Sequence, residues 1–512
     1  MAIQVVTTEQ STLFTIRTKH TTYQMKADEY GVLLHLWYGA SVEGDMSYLL
    51  DYPDVGFSGN LYEAENRRTY SLNTLPLEYA TEGVGDFRIP AIAATHADGS
   101  NALDLRYQSY NILKGKYAIA GLPAVYADED EAETLEIVLK DTATDLQVTL
   151  RYGVLPELDM LTRCVSIQNL GTTPITLTKA ASFCLDLPYG KWEWMHFHGR
   201  HAMERITERT PLIHGIQESS STRGTSSHHQ NPTAILCTPD CTETNGSCFG
   251  AAFLYSGSFQ TKIEYDQMRQ ARMVMGLHPD LFRWELQPNA TFDTPEVLFT
   301  YSDSGLETLS HRFQKTIREH VCRGKYQKIE RPVLINNWEA TYFDFNEEKI
   351  LKIAEEAARL GVDMLVLDDG WFGKRDDDCS GLGDWFVNEQ KLRGGLGTLV
   401  QKVKALGMRF GIWFEPEMIS EDSDLYRTHP DWAIQIPGRN PMRSRYQLLL
   451  DLSNPDVQDY LYERISDILN SADISYVKWD MNRSMADVYA GNLSYDYVLG
   501  VYDFMERLCS RY

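Results

Sequence analysis

The sequence has no long apolar run, no excess of basic charge and no C-x-x-C cysteine pair. No segment approaches the roughly 20 apolar residues that a membrane-spanning helix needs, and the start of the chain lacks a basic region followed by an apolar stretch. The formal net charge of −24 disfavours nucleic acids and anionic lipids, because binding to them needs clustered Lys and Arg. We therefore expect a cytoplasmic protein that binds neither nucleic acid nor a membrane.

Cysteines are few and scattered, and only Cys237, Cys241 and Cys248 lie close together in the sequence. Their spacing fits no familiar set of metal ligands, so we interpret them as buried thiols and not as a metal site. Internal repeats and low-complexity segments are also missing, which excludes a solenoid and a disordered chain. With 512 residues, 43% of them hydrophobic, the chain is long enough for about three domains.

Short runs of alternating apolar and polar residues, bounded by Gly, Pro, Asn and Asp, dominate residues 1–304. Residues 135–139 and 146–150 flank a turn-like segment, which predicts a β-hairpin. A single sheet must cover its apolar face with another sheet. Repeated hairpins over this length therefore predict a large antiparallel β-sandwich.

The pattern changes after residue 304. Apolar residues at helical spacing predict a linker helix in residues 305–330. From 331 to 512, strand-like and helical segments alternate, which predicts a parallel sheet, either doubly wound or a (β/α)8 barrel. Polar residues follow nearly every strand, which favours the barrel, but only about five strands are predicted where a closed barrel has eight. We therefore expect a catalytic barrel that is incomplete at its C-terminal end.

The strongest local signal is Asp480, which directly follows the strand-like segment 476–479. A carboxylate in this position is able to attack the anomeric carbon of a sugar. Lys478 and Asn482, two residues away on either side, would share its side of an extended strand, keep the carboxylate ionised and bind neighbouring hydroxyls. The alternative is an Asp that only caps the following helix.

A second signal is the adjacent pair Asp368 and Asp369 at the end of a buried-looking strand. Their mutual repulsion must be offset by a metal ion or by a ligand with many hydroxyls. Aromatic residues near the same strand ends favour a sugar, because indole faces pack against the apolar face of a pyranose. These aromatic residues are Trp338, Trp371, Trp385 and Trp413.

Three segments resemble the α-galactosidases of glycoside hydrolase family 36, namely residues 368–373 (DDGWFG), 413–418 (WFEPEM) and 478–483 (KWDMNR). Residues 85–90, 223–228 and 336–340 also look like parts of this family's sandwich and first barrel strand. The resemblance implies a β-supersandwich, a catalytic barrel and a small C-terminal β-domain. It also implies retaining cleavage of terminal α-galactose from melibiose- or raffinose-type oligosaccharides by double displacement, without a cofactor.

The same resemblance assigns roles to individual residues. Asp480 resembles the nucleophile, and Asp368 and Asp369 resemble the pair that binds the galactose hydroxyls, including the axial one. Family members are commonly homotetramers in which an N-terminal loop reaches a neighbouring active site, and Asp54 is assigned to that loop. The other pocket residues that the motifs imply are Lys478, Asn482, Arg445, Trp338 and Trp413.

The general acid/base of the family is an Asp further along the chain, and we expect it beyond residue 512. A retaining mechanism needs two carboxyl groups about 5–5.5 Å apart. We interpret Glu415 and Glu417 as hydrogen-bonding groups at a strand end and not as substitutes for that acid. The alternatives that stay open are a galactose-binding fragment without turnover, a transgalactosylase, and an enzyme that prefers N-acetylgalactosamine.

Overall fold

The protein is described by a computed structural model that covers residues 2–57, 59–488 and 491–512. The chain divides into two compact units, residues 1–327 and 328–512. The strands of the first unit are β1 (Ile3–Thr7), β2 (Thr12–Arg17), β3 (Thr21–Ala27), β4 (Leu33–Ala40), β5 (Ile92–Thr95), β6 (Leu105–Lys114), β7 (Glu133–Asp141), β8 (Leu146–Leu155), β9 (Met160–Asn169), β10 (Ile175–Leu187), β11 (Glu193–Arg200), β12 (Met203–Pro211), β13 (Gly215–Ser221), β14 (Gln230–Cys237), β15 (Cys248–Phe253), β16 (Phe259–Tyr265), β17 (Ala271–Leu277), β18 (Trp284–Leu286), β19 (Thr291–Asp293) and β20 (Val297–Ser302).

These strands form antiparallel sheets, as the alternating sequence pattern predicts. One sheet has the order β1-β2-β3-β4, a second has β13-β16-β17-β10-β18, and the largest has β12-β11-β14-β15-β20-β9-β8-β7-β6. The predicted hairpin is confirmed, because β7 and β8 pair antiparallel with Leu139 opposite Val148. Both of these side chains are buried, which shows that one face of the hairpin covers the core.

Helix α1 (Gly305–His320) follows the last of these strands, where the sequence predicts a linker helix in residues 305–330, but the helix ends at His320 and the rest of that segment is irregular. Its residue Leu309 is buried in a cluster with Cys237, Cys241 and Cys248, so the helix packs on the sandwich within the first unit. The three cysteines are free and buried, and burial raises the pKa of Cys237 to about 12. The interpretation of these residues as buried thiols is confirmed.

The second unit alternates short strands with helices. Helix α3 (Glu347–Arg359) begins after Asn346, whose side chain accepts a hydrogen bond from the backbone N–H of Lys349. It ends before Gly361, which has φ = 84°. The elements of this unit are β21 (Leu334–Asn336), α2 (Trp338–Thr341), α3 (Glu347–Arg359), β22 (Met364–Leu367), α4 (Gly395–Ala405), β23 (Arg409–Phe414), β24 (Met418–Ser420), α5 (Asp424–Thr428), β25 (Gln447–Leu449), α6 (Pro455–Ser471), β26 (Tyr476–Trp479) and α7 (Leu493–Arg511).

Strands β21, β22, β23 and β26 form a parallel sheet in that order. This alternation agrees with the predicted (β/α)8 type of domain. The strand predicted near residues 448–452 needs a correction, because β25 pairs antiparallel with β24 and lies outside the parallel sheet. Met418 lies opposite Leu449, so β24 and β25 form a small separate two-stranded sheet. None of the helices in the described ranges is long and apolar enough to span a membrane.

Candidate active site

The carboxyl ends of four parallel strands bring polar side chains to one edge of the sheet. Asn336 ends β21, Asp368 follows β22, Glu415 follows β23, and Asp480 follows β26. Because β22 pairs with β21 and β23, and β23 also pairs with β26, these positions are neighbours across the sheet. This edge is where (β/α) barrels hold their catalytic groups.

Asp368 forms an ion pair with a lysine of β26, which lies two strands away in the sheet. Its Oδ2 accepts a hydrogen bond from Lys478 Nζ at 2.7 Å and another from the side-chain amide of Asn336. Partial burial by itself lowers the pKa of Lys478, but its hydrogen bond to Asp368 and the nearby charges of Asp368 and Asp480 raise the pKa overall. Lys478 therefore carries a positive charge between two acids.

Asp369 has a cation of its own. Arg375 Nε lies 3.1 Å from Asp369 Oδ1 and Arg375 Nη2 lies 2.9 Å from Asp369 Oδ2, which is a bidentate pair. Burial raises the pKa of Asp369, and the guanidinium of Arg375 opposes this rise. Sequence reasoning missed Arg375, although a basic residue six positions after an acid pair was a visible signal.

Asp480 is held by four hydrogen bonds. Its backbone N–H donates to the carbonyl of Phe414 at 2.9 Å, and its Oδ2 accepts from Trp413 Nε1 and from Asn482 Nδ2, each at 3.0 Å. Its Oδ1 accepts from the backbone N–H of Met481 at 3.0 Å. The carboxylate is therefore fixed in orientation by donors that stabilise its negative charge. Asn482 lies where the strand-end pattern predicts, whereas the ammonium of Lys478 is bonded to Asp368.

Glu415 and Glu417 hold the segment that carries Asp480. Glu415 Oε1 accepts from the backbone N–H of Asn482 at 2.6 Å, and Glu417 Oε1 accepts from the indole of Trp479 at 2.9 Å. Burial raises the pKa of Glu415 to about 7, and the charge of Asp480 adds to this rise. These contacts agree with the prediction that both residues hydrogen-bond at the strand end.

The prediction that these tryptophans offer their faces to a sugar is wrong for Trp371 and Trp385, and the assignment of Trp413 to a substrate pocket stays a prediction. Trp371, Trp385 and Trp413 are each at most 1% exposed, because the rings pack on one another and on Phe372. Trp413 contributes its indole N–H to Asp480 and no free ring face. Trp338 is half-buried, with edge-on contacts to two aromatic neighbours.

Two predicted residues have partners outside this group of acids. The guanidinium of Arg445 pairs with Asp378 at 2.9 Å, and Arg445 lies in a turn with φ = 49°. Asp54 lies on an exposed loop of the first unit, where its Oδ1 accepts from the backbone N–H of Gly56 and from Arg68. The assignment of Arg445 and Asp54 to a substrate pocket stays a prediction.

The cationic partners of the two adjacent carboxylates are protein side chains. Asp369 is paired with Arg375 and Asp368 with Lys478, so the repulsion between the two acids is offset without a metal ion. Within residues 2–57, 59–488 and 491–512, no group of three or more His, Cys, Asp or Glu side chains has an arrangement that holds a metal. The site is a set of oriented acids, amides and one lysine, which suits a polyhydroxylated ligand.

A β-sandwich followed by a (β/α) unit with oriented acids at its strand ends is compatible with the class of glycoside hydrolases. A family model for the glycosyl hydrolase family 36 N-terminal domain matches residues 31–287, and a melibiase model matches residues 291–512. The chain belongs to glycoside hydrolase family 36, and the predicted resemblance is confirmed.

Similar proteins support the same family. The chain is 57% identical to the bifunctional alpha-galactosidase/sucrose kinase AgaSK of Mediterraneibacter gnavus, covering 98% of this chain and 54% of that protein. It is 45% identical to alpha-galactosidase AgaA of Geobacillus stearothermophilus, covering 98% of this chain and 70% of AgaA. A crystal structure of an AgaA variant in complex with raffinose superimposes with a TM-score of 0.95 at 44% identity, covering 98% of this chain and 71% of that one.

Proposed function

We propose that the protein is a retaining α-galactosidase that releases terminal α-linked galactose from raffinose- or melibiose-type oligosaccharides. The observation that carries the proposal is Asp480, oriented by Trp413 and Asn482 beside the Lys478–Asp368 pair. The relatives named above support the substrate class, since one of them binds raffinose. Because the chain spans 54% and 70% of the lengths of two of these relatives, its own activity remains part of the proposal.

In the proposed mechanism Asp480 attacks the anomeric carbon while the glycosidic C1–O bond breaks, and the leaving oxygen takes a proton from a general acid. The resulting galactosyl ester is hydrolysed by water that the same group deprotonates. Asp368 and Asp369 accept hydrogen bonds from galactose hydroxyls, and Lys478 donates to a hydroxyl or stabilises developing negative charge. Glu415 is not assigned the role of general acid, because it is fully buried and Asn482 and Gln447 occupy its two oxygens. A retaining mechanism places its acid/base about 5–5.5 Å from the nucleophile.

The decisive experiment is the substitution Asp480→Asn. We expect kcat to fall by about 10³-fold or more, because the amide is a poor nucleophile, and the covalent adduct formed with a fluorinated galactosyl fluoride to disappear. Hydrolysis of raffinose and mass spectrometry of the adduct measure the two effects. Asp473→Asn is the matched control, since Asp473 is an exposed acid near the other end of β26, paired with Lys404. Undiminished activity of Asp480→Asn would exclude Asp480 as the nucleophile.

A second candidate function is galactose binding without turnover. It is favoured by the same oriented carboxylates if no acid protonates the leaving oxygen, a step that contributes about 10²–10⁴-fold. Galactosyl fluoride separates the two, because fluoride leaves with little acid assistance. A binding protein is identified if calorimetry shows affinity for galactose while neither adduct formation nor hydrolysis of the galactosyl fluoride is detected.

The remaining parts of the proposal concern specificity and assembly. Product analysis distinguishes hydrolysis of the substrate from transfer of the sugar to another acceptor. Assays with substrates of both sugars show whether the protein prefers galactose or N-acetylgalactosamine. We also propose a cytoplasmic homotetramer in which the Asp54 loop reaches a neighbouring active site. Light scattering of the purified protein and cell fractionation test these two statements.

A further inference from the structure

Lys391 donates hydrogen bonds to three backbone carbonyls that belong to two segments of the candidate site. Its Nζ lies 3.0 Å from the carbonyl oxygen of Gly370, 3.0 Å from that of Arg375 and 3.2 Å from that of Phe343. These three acceptors match the three N–H donors of an ammonium group. The side chain of Lys391 is only 12% exposed, so the ammonium makes these hydrogen bonds largely away from bulk solvent.

Two of these carbonyls lie at the two ends of the loop that orients Asp369. Gly370 directly follows Asp369, and Arg375 is the bidentate cation of that acid. Gly370 has φ = 98°, which favours glycine, and a Cβ at this position would lie 3.1 Å from the ring of Phe343. The ammonium of Lys391 therefore holds both ends of residues 370–375, and each end is joined to Asp369.

The third carbonyl belongs to the segment that follows Trp338. Trp338 is the first residue of α2, and its ring meets the ring of Phe343 edge-on with 5.0 Å between the centroids. The same Phe343 ring lies 5.4 Å from the guanidinium carbon of Arg375. Lys391 therefore connects the segment of Trp338 to the loop of Asp369, and the sequence motifs predict contact with the sugar for both of these residues.

The backbone of Lys391 is held by groups outside these two segments. Its N–H donates to Asn388 Oδ1 at 3.2 Å, and its carbonyl accepts from the backbone N–H of Glu347, the first residue of α3, at 3.0 Å. Its Nζ also lies 2.8 Å from Asp376 Oδ1, but that carboxylate is 68% exposed, and exposed ion pairs contribute little. The ammonium therefore reaches the carbonyls from a fixed position.

Asp480 is oriented by a different set of groups. Its carboxylate accepts hydrogen bonds from the indole of Trp413, the side-chain amide of Asn482 and the backbone N–H of Met481. These donors lie on β23 and directly after β26, on the other side of the sheet from β21. A change at Lys391 should therefore affect binding of the sugar more than attack by Asp480.

We propose that Lys391 is a positioning residue for substrate recognition, which sets the positions of Asp369 and Trp338 through the three carbonyls that its ammonium binds. The inference rests on the proposed function, because it requires Asp369 to accept hydrogen bonds from galactose hydroxyls. Without the ammonium, the two ends of residues 370–375 separate and the Asp369–Arg375 pair shifts relative to the sugar. Lys391 itself does not touch the substrate.

The first test is Lys391→Met, which keeps an unbranched side chain without its donors. We expect the Kd of galactose in calorimetry to rise about 10- to 100-fold, as for loss of a hydrogen bond to a charged group. The rate constant for labelling of Asp480 by a saturating fluorinated galactosyl fluoride should stay within about threefold. Lys352→Met, at an exposed pair with Glu348 on α3, is the matched control and should change neither quantity.

The possible outcomes separate the inference from the proposed function. A lower Tm for Lys391→Met with an unchanged Kd of galactose would show a purely structural role and overturn the inference. A fall in the saturating labelling rate as large as the loss of affinity would also overturn it, because Lys391 would then act on Asp480. If affinity falls as expected but Asp480 is never labelled in the unchanged protein, the double-displacement function fails and the positioning role stands. If the unchanged protein does not bind galactose, both fail.

A second pair of variants covers the case in which Lys391→Met does not fold. Lys391→Arg keeps the charge, but a planar guanidinium does not direct three donors to the same carbonyls, so we expect the Kd of galactose to rise about 3- to 10-fold. Asp376→Asn removes the exposed partner of Lys391 and leaves the three carbonyl hydrogen bonds, so it should keep the Kd of the unchanged protein. An unchanged Kd for Lys391→Arg, or an equal loss of affinity in both variants, would overturn the inference.

Discussion

At the scale of the residue, two of the three strand-end aspartates of the candidate site are each paired with a cationic side chain. Asp368 has Lys478, Asp369 has Arg375, and Asp480 has uncharged donors only. The unpaired carboxylate is thus the one proposed as nucleophile, which agrees with the need for an available charged oxygen. The two paired acids are held in place for hydrogen bonding to a ligand.

Replacement of Arg375 by Met should destabilise the second unit. Arg375 is fully buried, and its removal leaves the buried carboxylate of Asp369 without a cation. Breaking such a pair costs about 3–5 kcal/mol. Urea unfolding measures the change, and Arg359→Met, at an exposed pair with Glu356, should change little.

The double variant Arg375→Met with Asp369→Asn tests whether the loss of stability comes from the unpaired charge of Asp369. It should recover part of the lost stability, because the uncompensated charge is then removed. Equal unfolding free energies for Arg375→Met and the unchanged protein would show that Asp369 does not depend on this partner.

At the scale of the element, helix α7 packs close to the segment before α6 because it carries a glycine at the contact. A Cβ at Gly500 would lie 1.9 Å from the carbonyl oxygen of Leu452, a distance no real contact allows. The same carbonyl accepts a hydrogen bond from the side chain of Gln458 at 2.8 Å. The close approach places Tyr497 of α7 to donate to Glu417 at 2.6 Å, which supports the strand end.

Gly500→Ala should therefore lower the Tm, although alanine is favoured over glycine by about 1 kcal/mol inside an exposed helix. The clash with backbone requires a shift of α7, with a cost of about 1–3 kcal/mol typical of overpacking. Differential scanning fluorimetry measures the effect. Ser510→Ala, at an exposed position of the same helix, is the control. A higher Tm for Gly500→Ala would show that α7 moves freely.

At the scale of the whole molecule, the chain consists of two units joined by an exposed segment. Residues 322–331 contain no regular helix or strand and are exposed at nearly every position. Because each unit has its own core, we expect two unfolding transitions and not one.

Limited trypsin digestion should cut this segment first, because irregular exposed backbone is the preferred site of proteolysis. The basic residues available are Arg323, Lys325 and Lys328, because Arg331 is followed by Pro332 and trypsin does not cut that bond. Gel electrophoresis and mass spectrometry should show fragments corresponding to the two units. A variant with Arg323, Lys325 and Lys328 replaced by Gln should resist this cleavage, and earlier cutting within either unit would contradict the prediction.

The sequence by itself determined the local features of this protein. The strands at 364–367 and 409–414 begin and end where apolar runs and flanking glycines predict them, because these signals act over a few residues. The contact between Asp480 and Asn482 was also predictable, since two residues of strand-like spacing share a side. The family motifs lie at these strand ends, so the family was readable as well.

Only the tertiary structure decided which distant groups meet. The buried packing of Trp413, the partner of Asp369 and the antiparallel pairing of β25 all depend on contacts between segments far apart in the chain. The periodicity of apolar residues indicates which side of a helix or strand is buried, but it does not indicate which other segment covers that side. The raised pKa of Glu415 has the same origin, because its burial and the nearby charges of Asp480 and Asp369 exist only after the strands assemble.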